Sequence, residues 1–253
     1  METARNPESE PGEILPLDER RPFLVHLEEL RRRLLRCFLW VGLGMLASWQ
    51  AAPRILEALI RPVGQVVFLS PAEPFLVHLK IAFLGGLVLA FPLLAWEAWG
   101  FLRPALPAGR RWPALAVLLP VSAGLFFLGA WFGWRWLLPG SLRILLSFGG
   151  GLMTPMLTVG NYIGFASWLI AGCGLIFQVP LAVLLLAAAG LVQPAALLKQ
   201  WRLALVVILV VAAALTPTPD IFTQLLLAAP LAGLYLGSIL LAMLWRVTLG
   251  CRS

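Results

Sequence analysis

The chain has 253 residues, of which 60% are hydrophobic and 12% charged, with 11 Trp and a formal net charge of +7. A mean hydropathy of +0.91 excludes an ordinary soluble domain, and the apolar runs leave no stretch long enough for a separate soluble catalytic core. The basic excess flanks those runs instead of gathering in one soluble patch with interleaved aromatics, so it speaks for membrane topology and against nucleic acid.

Residues 1–20, METARNPESEPGEILPLDER, have no apolar stretch between a basic start and a small-residue cleavage site, so they do not read as a signal peptide. An acidic, disordered cytoplasmic tail is expected there. A membrane domain is expected over 21–246, followed by a short tail over 247–253.

Crossing the hydrocarbon core takes about 20 apolar residues as helix. Six segments meet or approach that length: Leu34 to Ala52, Leu76 to Leu102, Trp112 to Leu138, Tyr162 to Leu191, Leu203 to Leu215 and Ile221 to Trp245. The runs are continuous in Leu, Ala and Val and lack the alternation of a membrane barrel, which predicts an all-α polytopic membrane protein with six transmembrane helices. The fifth segment is short, about 20 Å of helix against roughly 30 Å of hydrocarbon, and must thin the bilayer or lean on its neighbours.

An even number of spans puts both termini on one side. Arg54, Arg61, Lys80, Arg135 and Arg143 fall on the opposite side, and the other fourteen Lys and Arg fall on the side of the termini. The positive-inside rule therefore predicts cytoplasmic termini. In the two longer outer connections, RILEALI and SLRILLSF are expected to be short helices lying along the outer surface. Pro92, Pro120, Pro180 and Pro230 stand inside four of the spans, where each removes one backbone donor and should kink its helix.

The stretch HLEELRRRLL, His26 to Leu35, opens the first span. Glu28 and Glu29 lie within helical reach of Arg31, Arg32 and Arg33, so i,i+3 and i,i+4 pairing can partly neutralise them. Two readings stay open: a charged helix start that sets topology, or a carboxylate available to a cation at lowered dielectric, such as the arginine of an incoming peptide.

Gln178 sits beside Pro180 on an otherwise apolar helix and needs a partner, from a neighbouring helix or from a bound ligand. Asp220 follows the TPTP turn and is placed to cap the sixth helix. Gln224 sits one turn further in, facing the outer cap. His26 and His78 are too far apart for a metal pair, and Cys37, Cys173 and Cys251 have no metal or redox spacing. No metal site, cofactor or enzyme motif is read here.

HLEELRRRLL resembles the HLxELRxRL motif of TatC, the receptor subunit of the twin-arginine protein translocase. Further stretches follow in the order of that family: SPAEPF with Lys80, WEAWGFLRPAL, FQVPLAV, LTPTPDIFTQ and APLAGLY. Together they cover roughly Pro22 to Trp245. The resemblance implies a concave, glove-like six-helix receptor in the bacterial cytoplasmic membrane, multi-pass with both termini inside. It further implies binding of the twin-arginine signal peptides of folded passenger proteins, single-span partner subunits of the TatA and TatB type, a homo-oligomer within a hetero-complex, and the proton-motive force as energy source. By position, Glu29 matches the glutamate that meets the twin arginines, Arg31 the arginine of that motif, and Phe101 and Pro104 the FxxP element after the second span.

Four positions depart from the family pattern. Arg110 stands where the first cytoplasmic loop usually carries a glutamate, which reverses a sign near the signal arginines. Gln178 replaces the acid of FExP, and Leu236 the acid of LYE. Glu97 stands where glutamine is common, and an acid there is expensive unless it is paired, protonated or wet. It either restores acidity for the signal peptide or is satisfied locally, by a proton or by Arg103. The alternatives to a receptor are a proton- or ion-coupled small-molecule transporter, for which Glu97 is the one intramembrane acid and no repeat is found, and a membrane scaffold that only organises other proteins.

Overall fold

In hydrocarbon every backbone N–H and C=O must find its partner inside the chain, and runs of Leu, Ala and Val meet that demand most simply as helix. The computed structural model describes residues 20–102, 111–148, 156–188, 194–215 and 221–248. They form α1 (Arg20–Trp49), α2 (Ala52–Ile60), α3 (Glu73–Leu102), α4 (Arg111–Phe132), a π-turn (Gly133–Leu137), α5 (Leu138–Ser147), α6 (Val159–Ile176), α7 (Val179–Ala188), α8 (Pro194–Lys199), α9 (Trp201–Leu215) and α10 (Ile221–Thr248). Among the described residues the only extended pairing is an isolated parallel bridge between Val67 and Thr158.

Three of the described helical stretches are long and apolar enough to cross a bilayer: Glu73–Phe101, Val117–Ser147 and Val159–Leu186. The pair Leu27–Trp49 and Ala52–Ile60 qualifies as a fourth when taken together, with a bend of 76° between its halves. That bend turns RILEALI away from α1 as a short separate helix, as expected. The apolar part of α9 is 15 residues, about 22 Å of helix, so the fifth segment is short in space as well as in sequence.

SLRILLSF behaves differently from the expectation. It does not form a detached surface helix: α4 runs through the π-turn directly into α5, and the Leu138 N–H closes the wider π ring on the Gly133 carbonyl. Pro139 follows directly on the π-turn, whose wider ring interrupts the regular i→i−4 ladder next to the residue that lacks an N–H. Pro92, Pro120 and Pro230 lie inside α3, α4 and α10. Pro180 instead follows a break at Phe177 and Gln178, where the Gln178 carbonyl takes up the N–H groups of Leu181 and Ala182 at 3.0 and 2.9 Å.

α3 is the central element, packed on α1, α2, α4 and α6. The main core gathers Leu59, Ile81, Leu84, Leu137, Leu138, Ile163 and Leu169, all buried. A second core joins α3 to α4 and α7 through Phe91, Trp99, Phe126 and Leu181, with the Phe91 and Phe126 rings stacked at 3.6 Å. Leu35, Phe38 and Leu46 of α1 and Val206 and Val210 of α9 are exposed. Such apolar area is untenable in water and natural in lipid.

α1 and α3 form the most extensive helix pair. Gly44 and Gly86 bring their backbones together: a Cβ built on Gly86 would stand 2.5 Å from the Met45 nitrogen. Small residues at such a crossing allow close van der Waals packing in a medium without a hydrophobic drive between helices. At the N-terminal end of α3 Glu73 ties the connections down. Its Oε2 accepts from the Leu69 N–H at 2.8 Å, and its Oε1 accepts from the Gly160 N–H at 2.7 Å in the first turn of α6. One of the four orphan donors of that helix is thereby satisfied by an anion, with the helix dipole in favour. Lys80 donates to the Gly160 carbonyl at 3.1 Å, and the Tyr162 hydroxyl donates to the Leu59 carbonyl.

Candidate functional site

Positions 29, 33 and 36 are spaced i, i+4, i+7 and share one face of α1, and that face meets α3 near residue 97. The result is a four-membered ionic cluster between two helices. Arg33 donates through Nε and Nη2 to Glu29 Oε1 at 3.0 and 2.7 Å, and through Nη1 to the Glu97 carboxylate at 3.2 Å and to the Glu97 carbonyl at 3.1 Å. Arg36 Nη1 donates to Glu97 Oε1 at 3.0 Å and Oε2 at 3.2 Å. One guanidinium therefore bridges two carboxylates, and one carboxylate serves two guanidiniums.

Exposure differs sharply across the cluster. The Glu97 side chain is 7% exposed, Arg33 20%, Glu29 37% and Arg36 49%. Two acidic and two basic side chains are thus matched within the cluster, and the enclosed Glu97 has hydrogen-bond donors on both carboxylate oxygens. Gly100, one turn beyond Glu97, lies directly under the Arg33 guanidinium, and any Cβ there would collide with it. The acid that departs from the family pattern is thus satisfied across the helix pair by Arg33 and Arg36, partners that local sequence reading missed. The available signal was the surplus of arginine on α1, three positions of which fall within a turn of an apolar helix interior.

The remaining predicted residues fall into place as follows. Glu28 is exposed and stands 4.0 Å from Arg32, a solvated pair worth little. Arg31 is exposed. Phe101 is partly buried at the end of α3, one turn past Glu97 and thus on the same side of the helix. Pro104, Arg103, Arg110 and Asp220 lie outside the described residues. Gln178 is not part of the cluster: its Nε2 donates to the Ser122 carbonyl at 3.1 Å, and the Ser122 hydroxyl donates to its Oε1 at 2.8 Å, a reciprocal link from α4 to the α6–α7 break. Gln224 donates to the Leu209 carbonyl at 3.0 Å, joining α10 to α9.

A cavity of about 310 Å³ opens between α7, α9 and α10, lined by residues that include Val183, Leu203, Val207, Leu231 and Tyr235. Its lining carries no charge and cannot select a cation. Among the described residues, carboxylates that hold guanidiniums between two helices are found at the α1–α3 end, whereas the Glu57–Arg61 pair lies exposed on α2 alone.

Residues 25–230 match the family model of the Sec-independent protein translocase protein TatC. A relative from Carboxydothermus hydrogenoformans, a Sec-independent protein translocase protein TatC, is 37% identical over 222 residues, covering 86% of this chain and 90% of its own. A crystal structure of the twin-arginine translocase receptor TatC is similar with a TM-score of 0.75 at 33% identity, over 87% of this chain and 98% of that one. A second, in the detergent DDM, reaches a TM-score of 0.78 at 34% identity, over 86% and 99%.

Proposed function

For a chain that belongs to the TatC family of Sec-independent protein translocase proteins, we propose the function of receptor for the twin-arginine signal peptides of folded passenger proteins. The observation that carries this reading is the position of Glu29: a carboxylate 37% exposed at one end of the α1–α3 pair, within a cluster already built to hold guanidinium groups. An incoming arginine meets there an acceptor at reduced dielectric, where charge-assisted hydrogen bonds are stronger than in water. In this reading Glu28 and Arg31, both exposed and close to Glu29 in sequence, and Phe101, one turn past Glu97 on α3, contribute to the site.

In this reading the six apolar segments are six spans, with the tail before α1 and the end of α10 in the bacterial cytoplasm. Single-span partner subunits and further copies of the chain complete the translocase, driven by the proton-motive force. A coupled transporter is less well supported, because Glu97 is enclosed between two arginines and offers no open path for an ion. The test is complementation of a bacterium lacking its own receptor. The chain restores export of a folded twin-arginine reporter, and Glu29→Ala abolishes it at unchanged membrane abundance; export that survives this substitution contradicts the assignment.

A further inference from the structure

In the resting structure the position proposed for the guest's arginine is already taken by an arginine of the chain itself. Arg33 makes two N–H contacts to one oxygen of Glu29 and a third to the Glu97 carboxylate, so its guanidinium is shared between an open acid and an enclosed one. The two acids differ in what they offer. Glu29 is 37% exposed, whereas Glu97 is 7% exposed and held by two arginines of α1.

Resting on the receptor reading, we propose that Arg33 is a built-in competitor for Glu29 and that Glu97 is the positioning residue that receives it when a signal-peptide arginine arrives. Exchange then runs between like groups. The guest guanidinium replaces Arg33 on Glu29, and Arg33 swings its donors onto Glu97, to which Nη1 is already bonded. Neither carboxylate is left uncompensated at any stage, and the one guanidinium in excess, that of Arg36, is the half-exposed one that water can take up, which keeps the exchange reversible in a partly buried place where an unpaired enclosed charge would be prohibitive. Gly100 supplies the space: without a Cβ on that turn of α3, the guanidinium can slide along the helix.

Arg36 fixes the direction of the exchange. It occupies both Glu97 oxygens in the resting state but is 49% exposed, so it can yield one of them to Arg33 and turn to water at little cost. Competition of this kind weakens every guest that uses Glu29 by a common factor. It sets the affinity of the site, keeping it within a range from which the peptide is released.

The proposal has a sign pattern that a purely structural role of the cluster does not. The assay is fluorescence anisotropy of a labelled synthetic signal peptide with the full chain in lipid nanodiscs, each variant first checked for a monodisperse elution profile. Glu29→Gln tests the underlying reading and lowers affinity at least ten-fold; unchanged affinity overturns the receptor site and the exchange together. Given that loss, Arg33→Gln removes the competitor and tightens binding about two- to five-fold, the range set by a partly exposed ion pair. Glu97→Gln strands Arg33 on Glu29 and weakens binding by a similar factor. The double variant Arg33→Gln, Glu97→Gln returns affinity to at least that of the parent. If Arg33→Gln weakens binding or leaves it unchanged, or if the double variant is weaker than Glu97→Gln alone, the exchange is overturned while the Glu29 site stands.

Discussion

Replacing Glu97 by Ala removes an acid that links α1 to α3 through Arg33 and Arg36, and the structure gives the size of the effect. Breaking a buried ion pair by deleting one partner costs about 3–5 kcal/mol when the survivor is fully enclosed. Here the survivors are partly relieved: Arg36 is half exposed and turns to water, and Arg33 keeps Glu29 and one-fifth of its surface. Roughly half the full penalty remains, about 2 kcal/mol. Deleting Arg33 as well removes the stranded charge, so Arg33→Leu in the Glu97→Ala background costs less than Arg33→Leu alone, with a coupling of about 1–2 kcal/mol. The assay is reversible unfolding of the four members of the cycle in mixed micelles, followed by tryptophan fluorescence. Additivity within about 0.5 kcal/mol would refute the bridge, because unlinked sites add to within that margin.

Gln178→Leu strands the Ser122 hydroxyl and carbonyl between α4 and the α6–α7 break and lowers stability by about 1 kcal/mol, measured in the same unfolding assay. Gly86→Leu drives a side chain into the α1 backbone at Met45 and abolishes a folded, monodisperse product, whereas Gly42→Leu, with open space at its Cβ, leaves elution and stability unchanged. Glu73→Ala frees the Leu69 and Gly160 amides and speeds their hydrogen exchange at least ten-fold, with little change at the α1–α3 end.

Much of the architecture was legible because its signals are local. α3 and the α6–α7 stretch are runs of Leu, Ala and Val longer than the hydrocarbon is thick, and no other element satisfies their backbones there. The short fifth segment and the helix formed by RILEALI followed from the same arithmetic. The continuation of α4 into α5 did not, since Pro139-Gly140 reads as a stop. The π-turn at Gly133–Leu137 shifts the register just ahead of it and interrupts the regular ladder where the proline lacks its N–H, so the helix runs on.

The site was legible in part. The i,i+4 pairing of Glu29 with Arg33 follows from spacing on one helix, and the need of Glu97 for a partner follows from its apolar surroundings. The identity of that partner does not, because Arg33 and Arg36 reach Glu97 from 64 and 61 positions away. Their approach depends on the Gly44–Gly86 crossing and on the absence of a Cβ at Gly100, tertiary facts that no local pattern announces. The same holds for Gln178, whose partner Ser122 lies 56 positions away.

The most direct measurement places a photoreactive residue at position 32, exposed and one turn beyond Glu29, and irradiates the full chain in membranes with labelled signal peptides. The account predicts an adduct with the arginine-arginine peptide that largely disappears when both arginines are changed to lysine or when Glu29 is changed to Gln. Equal adducts with both peptides, or none with either in a chain that still supports export, would contradict it.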